Sequence, residues 1–93
     1  MIRHVVMWKF RAGTQAQADR FLDGLRGLYG VIPQLRRCEV GKNIVDGNYD
    51  AVLLAEFATA DDLNVYQADP RHQAVVALCR PICESRVAVD CEI

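Results

Sequence analysis

Two histidines and one tyrosine, His4, Tyr66 and His72, stand among apolar residues at positions that suit acid–base chemistry. An imidazole can accept and return a proton near neutral pH, and a phenol can donate a hydrogen bond to a developing oxyanion. Together they suit proton transfer to and from a carbon acid, or recognition of a phenolic or carboxylated ligand. We take all three as candidate catalytic residues, with His72 as the base and Tyr66 as its partner.

The dipeptide Asp69-Pro70 positions two of these side chains. It predicts the start of a helix, with Asp69 as the N-cap and Pro70 at the first helical position. His72 then lies in the first turn, where the helix dipole favours a neutral imidazole, while Asp69 acts in the opposite direction. Tyr66 precedes this break and His72 follows it, so both can turn toward a sheet where the helical layer opens.

Each candidate also has a purely structural interpretation. His4 shares a strand face with Val6 and Trp8, and a lone histidine there is more often a satisfied core residue. Tyr66 also fits an amphipathic core position with its hydroxyl in water. No nucleophile with a base and an orienting acid is evident, and neither GxGxxG nor a P-loop occurs. We expect no cofactor and no metal.

The elements that must position these residues follow from the spacing of apolar residues. Four strands are predicted at 2–10, 35–43, 50–57 and 85–92. One helix is predicted at 15–29, with Thr14 and Gln17 as a capping box, and a second from Thr59, with Asp62 completing the cap. A third is predicted from Pro70, and its buried face consists of Ala74, Val75, Leu78 and Ile82. The order β-α-β-β-α-β, with the second helix broken in two, predicts an α+β, ferredoxin-like fold. Its four-stranded antiparallel sheet carries the helices on one face, and residues 1–93 form a single domain.

The open face of this sheet predicts a homodimer. The first and third strands carry apolar residues on both faces, yet the helices can cover only one of them. A second copy related by a two-fold axis is the simplest cover, which gives a dimeric αβ-barrel. We expect Val5, Met7 and Leu53 on the partner-facing side.

Composition excludes several other classes of partner. The chain has 93 residues, 52% of them hydrophobic, and a net charge of −1, with no basic patch suited to nucleic acid. No apolar run approaches the roughly 20 residues of a membrane helix, and no signal-peptide pattern opens the chain, so we expect a cytoplasmic protein. We expect the four cysteines to be free thiols, although Cys79 and Cys83 would share a face if both were helical.

Short motifs spread over nearly the whole chain resemble the stress-responsive A/B barrel domain (Dabb) family. They are Arg3-His4-Val5-Val6, Val40-Gly41-Lys42-Asn43, Tyr49-Asp50, Glu56-Phe57, Tyr66-x-x-x-Pro70-x-His72 and Val89-Asp90. The resemblance implies a ferredoxin-like monomer in a dimeric barrel. Tyr66 and His72 are similar to the catalytic pair of the family's plant polyketide cyclases, and His4 to a pocket histidine. Ala51 stands where those cyclases carry another pocket histidine, so the pocket is less polar there.

Two classes of function follow. One is a cofactor-independent, polyketide-cyclase-like or isomerase-like enzyme with a small apolar or phenolic ligand. The other is a non-catalytic, stress-associated ligand-binding dimer. The related haem-degrading and antibiotic-biosynthesis monooxygenases share the fold, and a haem-binding or monooxygenase-like role is the more distant alternative.

Overall fold

The computed structural model describes residues 1–93 and contains four strands and three helices. In chain order they are β1 (Ile2–Phe10), α1 (Gln15–Arg26), β2 (Arg37–Lys42), β3 (Ala51–Phe57), α2 (Ala60–Ala68), α3 (Pro70–Cys79) and β4 (Cys83–Glu92). This order confirms the predicted β-α-β-β-α-β arrangement with a divided second helix. None of the helices has the length and apolar character needed to span a membrane.

The strands form one antiparallel sheet in the order β2-β3-β1-β4, as the ferredoxin-like fold requires. β1 is therefore central, and the register places His4 opposite Ala55 on one side and Asp90 on the other. β4 is an edge strand whose residues are mostly exposed. A cavity beside β1 and β4 is consequently only partly covered by the helical layer.

The core fills the space between the sheet and the helices. Apolar side chains of β1 and β3 pack there against those of α1 and α2, including Val6, Trp8, Phe21, Leu22, Leu25, Leu53, Phe57, Leu63 and Tyr66. The sheet side comes from alternate residues, as expected of strands that bury one face against helices. Gly24 lets α1 and α3 approach closely, since a Cβ there would lie 3.1 Å from Val75 Cγ1.

Local signals predicted where all three helices begin, but only two of the three predicted caps are present. Asp69 caps α3, because its side chain accepts a hydrogen bond from the Arg71 amide and Pro70 follows in the first turn. Thr59 caps α2 by accepting a bond from the Asp62 amide. The capping box predicted at Thr14 is wrong: its hydroxyl donates to the carbonyl of Arg11 and makes no capping bond.

The predicted boundaries and one helical face also need correction. α1 ends at Arg26 and β2 covers only Arg37–Lys42. α3 ends at Cys79, so Cys83 begins β4 and does not share a helical face with Cys79. On α3, Ala74 is exposed, Val75 and Leu78 are half-buried and Cys79 is buried. The reason is that α3 packs mainly on α1 at the margin of the helical layer.

The sheet face that carries no helices is apolar in its middle. Val5 and Met7 lie there as predicted, together with Val52, Leu54, Val87 and Val89. Leu53 does not: it is 2% exposed in the core, because it pairs with Val6 on the helix-facing side. Its assignment to the partner face was therefore wrong.

Candidate functional site

A cavity of about 340 Å³ lies between the sheet, α1 and α3. Its walls come from β1, β3 and β4, from α1 and α3, and from the end of α2. The residues are His4, Val6, Trp8, Phe21, Leu25, Leu53, Gln67, His72, Gln73, Val76, Cys79, Arg80, Cys83 and Arg86. Most of these are apolar, so polar groups that face the cavity interact in surroundings poor in water. This is the usual composition of a small-molecule site.

His4 reaches the cavity from the central strand and is 3% exposed. Its Nδ1 contacts the carboxylate of Asp90, which lies directly opposite it in the β1–β4 register. The edge of the Phe57 ring packs at 6.5 Å between ring centres. Asp90 thus fixes the imidazole and leaves Nε2 as the nitrogen without a protein partner.

His72 reaches the same cavity from the first turn of α3 and is half-buried. Its Nδ1–H donates to the carbonyl of Gln67 at 3.2 Å, which leaves the Nε2 lone pair free. Burial lowers the pKa of His72, the Gln67 bond opposes this, and the charges of His4 and Arg86 lower it further. His72 is therefore neutral near pH 7 and able to accept a proton.

The aromatic ring of Tyr66 packs against the imidazole of His72. Its ring centre lies 4.3 Å from that of His72 and 5.0 Å from that of Phe57. The side chain is fully buried, and its hydroxyl has no hydrogen-bond partner. Burial raises the pKa of Tyr66 well above its usual range, so the phenol stays protonated and remains a donor.

The structure brings His4 and His72 to one cavity and packs Tyr66 against His72. The Tyr66 hydroxyl itself is not among the groups that line the cavity. Sequence reasoning missed Asp90 and Gln67 as the partners of the two imidazoles. Asp90 alternates with apolar residues along β4, but only the strand register shows that it faces His4.

Two larger depressions lack such chemistry. One of about 490 Å³ lies beside the start of α1 and the loop after β2, and it contains no histidine, tyrosine or cysteine. The other, of about 450 Å³, opens on the helix-free sheet face near Met7 and Tyr49. No group of three or more histidine, cysteine or acidic side chains is arranged to hold a metal ion. The cavity of His4 and His72 is therefore the candidate site.

Comparisons with known proteins agree with this architecture. The chain belongs to the stress responsive A/B barrel domain family, which it matches over residues 2–93. It is 40% identical over 85 residues to an uncharacterized protein of Streptomyces coelicolor, covering 86% of this chain and 88% of that one.

Two solved structures show the fold. A dimeric protein of unknown function with a ferredoxin-like fold from Bacteroides fragilis superposes with a TM-score of 0.92 at 28% identity, covering 99% of this chain and 95% of that one. The hydroxynitrile lyase of Passiflora edulis superposes with a TM-score of 0.87 at 17% identity, covering 99% and 92%. The second likeness concerns the fold alone.

Proposed function

We propose that this chain is a homodimeric, cofactor-independent acid–base enzyme of the cyclase or isomerase kind, acting on a small apolar carbonyl compound. One observation carries the proposal. His4 and His72 line one apolar cavity, and each has its Nδ1 held by a protein oxygen, which leaves both Nε2 atoms for a ligand. Two oriented imidazoles in one site suit a reaction that removes a proton at one atom and delivers one at another.

His72 is assigned the role of base. Its neutral imidazole takes a proton from the carbon next to the carbonyl group, and the electron pair of that C–H bond moves onto the carbonyl oxygen as an enolate. The apolar side chains of Val6, Leu25 and Val76 line the cavity around this step. Return of the proton to a different carbon gives isomerisation, and attack of the enolate carbon on a second carbonyl group of the same molecule gives cyclisation.

His4 and Asp90 are assigned the role of stabilising the enolate oxygen. In this assignment His4 carries a proton at Nε2 while the Asp90 carboxylate holds Nδ1 on the other side of the ring. From there the proton hydrogen-bonds to, or is transferred to, the developing enolate oxygen. The buried Tyr66 hydroxyl is a further donor without a partner, and such a group costs free energy until something accepts its proton.

The dimer belongs to the same proposal. The Bacteroides fragilis relative is a dimeric protein, and the helix-free face of this chain carries a continuous apolar strip that a second copy would cover. The four cysteines are all free, which suits the reducing conditions of the cytoplasm. We propose that residues 1–93 act as one unit within such a dimer.

A non-catalytic binding dimer is the second candidate, and one observation favours it. The Tyr66 hydroxyl lies outside the cavity wall, so the phenol contributes its ring as a packing surface for His72. A cavity that only holds an apolar ligand needs no more than this. The two candidates differ in whether proton transfer to carbon occurs.

Hydrogen–deuterium exchange at carbon separates the candidates. We expect the protein in D₂O to accelerate exchange of the α-protons of 2-tetralone, an apolar ketone, followed by proton NMR. His72→Ala should reduce this catalysis about 10²–10⁴-fold, the usual contribution of a general base. A matched control is Gln17→Ala, which alters an exposed residue of α1 that does not line the cavity and leaves the imidazole. Binding of 2-tetralone with exchange no faster than in buffer would contradict the enzyme proposal and support the binding dimer.

A further inference from the structure

The mouth of the cavity carries positive charge without a compensating acid. Arg80 and Arg86 both line it, and no aspartate or glutamate does. Neither guanidinium takes part in an ion pair, whereas those of Arg3 and Arg71 bind the carboxylates of Glu56 and Asp69. A guanidinium beside an apolar cavity and without a carboxylate partner can bind an anion that enters from solvent.

The side chain of Arg86 faces the cavity. Arg86 lies opposite Trp8 in the β1–β4 register, and Trp8 is a cavity residue on the helix-facing side. His72 and Cys79 line the same cavity as Arg86, so the guanidinium shares this space with both side chains.

Two carboxylates near the cavity are already occupied. Asp90, further along β4, contacts His4, and Asp69 at the start of α3 is held by the guanidinium of Arg71 at 2.7 Å. Arg80 has an additional structural role, since it caps the C-terminal end of α3, where positive charge is favourable. Arg86 has no comparable role in the fold and is therefore the stronger candidate for a ligand group.

We propose that the cavity selects a carboxylate-bearing apolar ligand, whose carboxylate binds Arg86 with support from Arg80 while its apolar body packs on Trp8, Phe21 and Leu25. This inference rests on the proposed function and gives its substrate class: an aromatic or aliphatic carbonyl compound with one acid group. The acid group at the mouth fixes the direction in which the molecule enters and holds its reactive carbon near His72. Arg86 is thus a specificity-determining residue.

The test compares an acid with its neutral isostere, 3-phenylpropanoate with 3-phenylpropanamide. Trp8 is the sole tryptophan of the chain, so its indole N–H gives one NMR resonance in the cavity wall. We expect both compounds to shift this resonance and the acid to bind about ten-fold more tightly, as a charge-assisted hydrogen-bond pair allows. Arg86→Gln should remove the preference for the acid and leave the affinity for the amide unchanged.

Three further variants sharpen the test. Arg86→Lys keeps the charge but loses the planar fork, so it should retain part of the preference. Arg20→Gln removes an exposed arginine of α1 that does not line the cavity, and this variant should keep the full preference for the acid. Arg80→Gln should weaken the preference less than Arg86→Gln does.

Two results would overturn the inference. Equal affinity of the wild-type protein for acid and amide, with the Trp8 resonance shifted by both, would refute the anionic preference and leave the proposed acid–base function standing. Failure of both compounds to bind at millimolar concentration would refute the inference and would also count against a ligand site in this cavity. The 2-tetralone exchange measurement, which uses an uncharged probe, tells these two failures apart.

Discussion

The phenol ring of Tyr66 packs on the imidazole of His72 with 4.3 Å between ring centres and 43° between ring planes. Tyr66 belongs to α2 and His72 to α3, so the contact bridges the break between the two helices. Phe57 of β3 also contacts Tyr66, with 5.0 Å between ring centres. The orientation of His72 is therefore set by an aromatic stack that begins on the sheet, and by the hydrogen bond to Gln67.

The unpaired hydroxyl of Tyr66 gives the first prediction. Tyr66→Phe keeps the ring on His72 and removes a buried donor without a partner, so the free energy of unfolding should stay the same or rise by about 1 kcal/mol. Tyr66→Ala should lower it by about 3–5 kcal/mol, because it empties the centre of the stack. Urea denaturation measures both, with the exposed Tyr29→Phe as control. A loss above about 2 kcal/mol in Tyr66→Phe would show that the hydroxyl has a stabilising partner.

The buried imidazole of His72 gives a pH-dependence. Because burial lowers the pKa of His72 below its ordinary 6.5, the unfolded chain binds a proton that the native chain does not. The unfolding free energy should therefore fall as the pH drops from about 7.5 to about 5.5. His72→Gln lacks this group and should lose less over the same range. Equal losses, or an NMR titration of His72 at or above the ordinary value, would contradict the assignment.

The fold was predictable because its signals are local. Alternation along β1 and the dipeptide Asp69-Pro70 depend only on residues near in sequence. The error at Leu53 arose because apolar residues occupy both faces of β3, so periodicity alone does not say which face meets the helices. Glu56 lies on the same face as Leu54 and pairs with Arg3 and Arg37 on neighbouring strands. That charge was the available sign that Leu53 points inward.

The candidate site was only partly predictable, because its contacts join residues far apart in the chain. His4 and Asp90 are 86 residues apart and meet through strand pairing. Arg86 reaches the cavity for the same reason. The short connection from α3 to β4 also turns the chain so that Cys83 lies in a strand beside the same cavity as Cys79. Spacing within a single element contains none of this information.

The buried thiol of Cys79 gives a third prediction. Burial, and secondly the neighbouring Cys83, raise the pKa of Cys79 to about 12, so almost no thiolate exists near neutral pH. Iodoacetamide should modify Cys79 at least about 100-fold more slowly in the native protein than in the urea-unfolded chain, as followed by peptide mass spectrometry. Cys91 is exposed on β4 and serves as the comparison within the same molecule. Modification of native Cys79 at the rate of Cys91 would contradict this.

The last prediction concerns the helix-free sheet face. Substitutions of Met7 and of Leu53 should distinguish a residue needed for dimerisation from one needed for folding. Met7 is 40% exposed on the open face of the central strand, whereas Leu53 is 2% exposed in the core. Met7→Asp should abolish the dimer, because a buried, unpaired carboxylate at a two-fold interface is strongly unfavourable. The circular dichroism of a folded chain should remain.

Leu53→Ala should instead lower the unfolding free energy by about 2–5 kcal/mol and leave the interface intact in the folded fraction. Analytical ultracentrifugation should give twice 10.4 kDa for the wild-type chain and for folded Leu53→Ala, and 10.4 kDa for Met7→Asp. Val65→Asp, on an exposed position of α2, controls for the added charge alone and should remain a dimer. A dimeric Met7→Asp protein would show that the open face is not where the two copies meet.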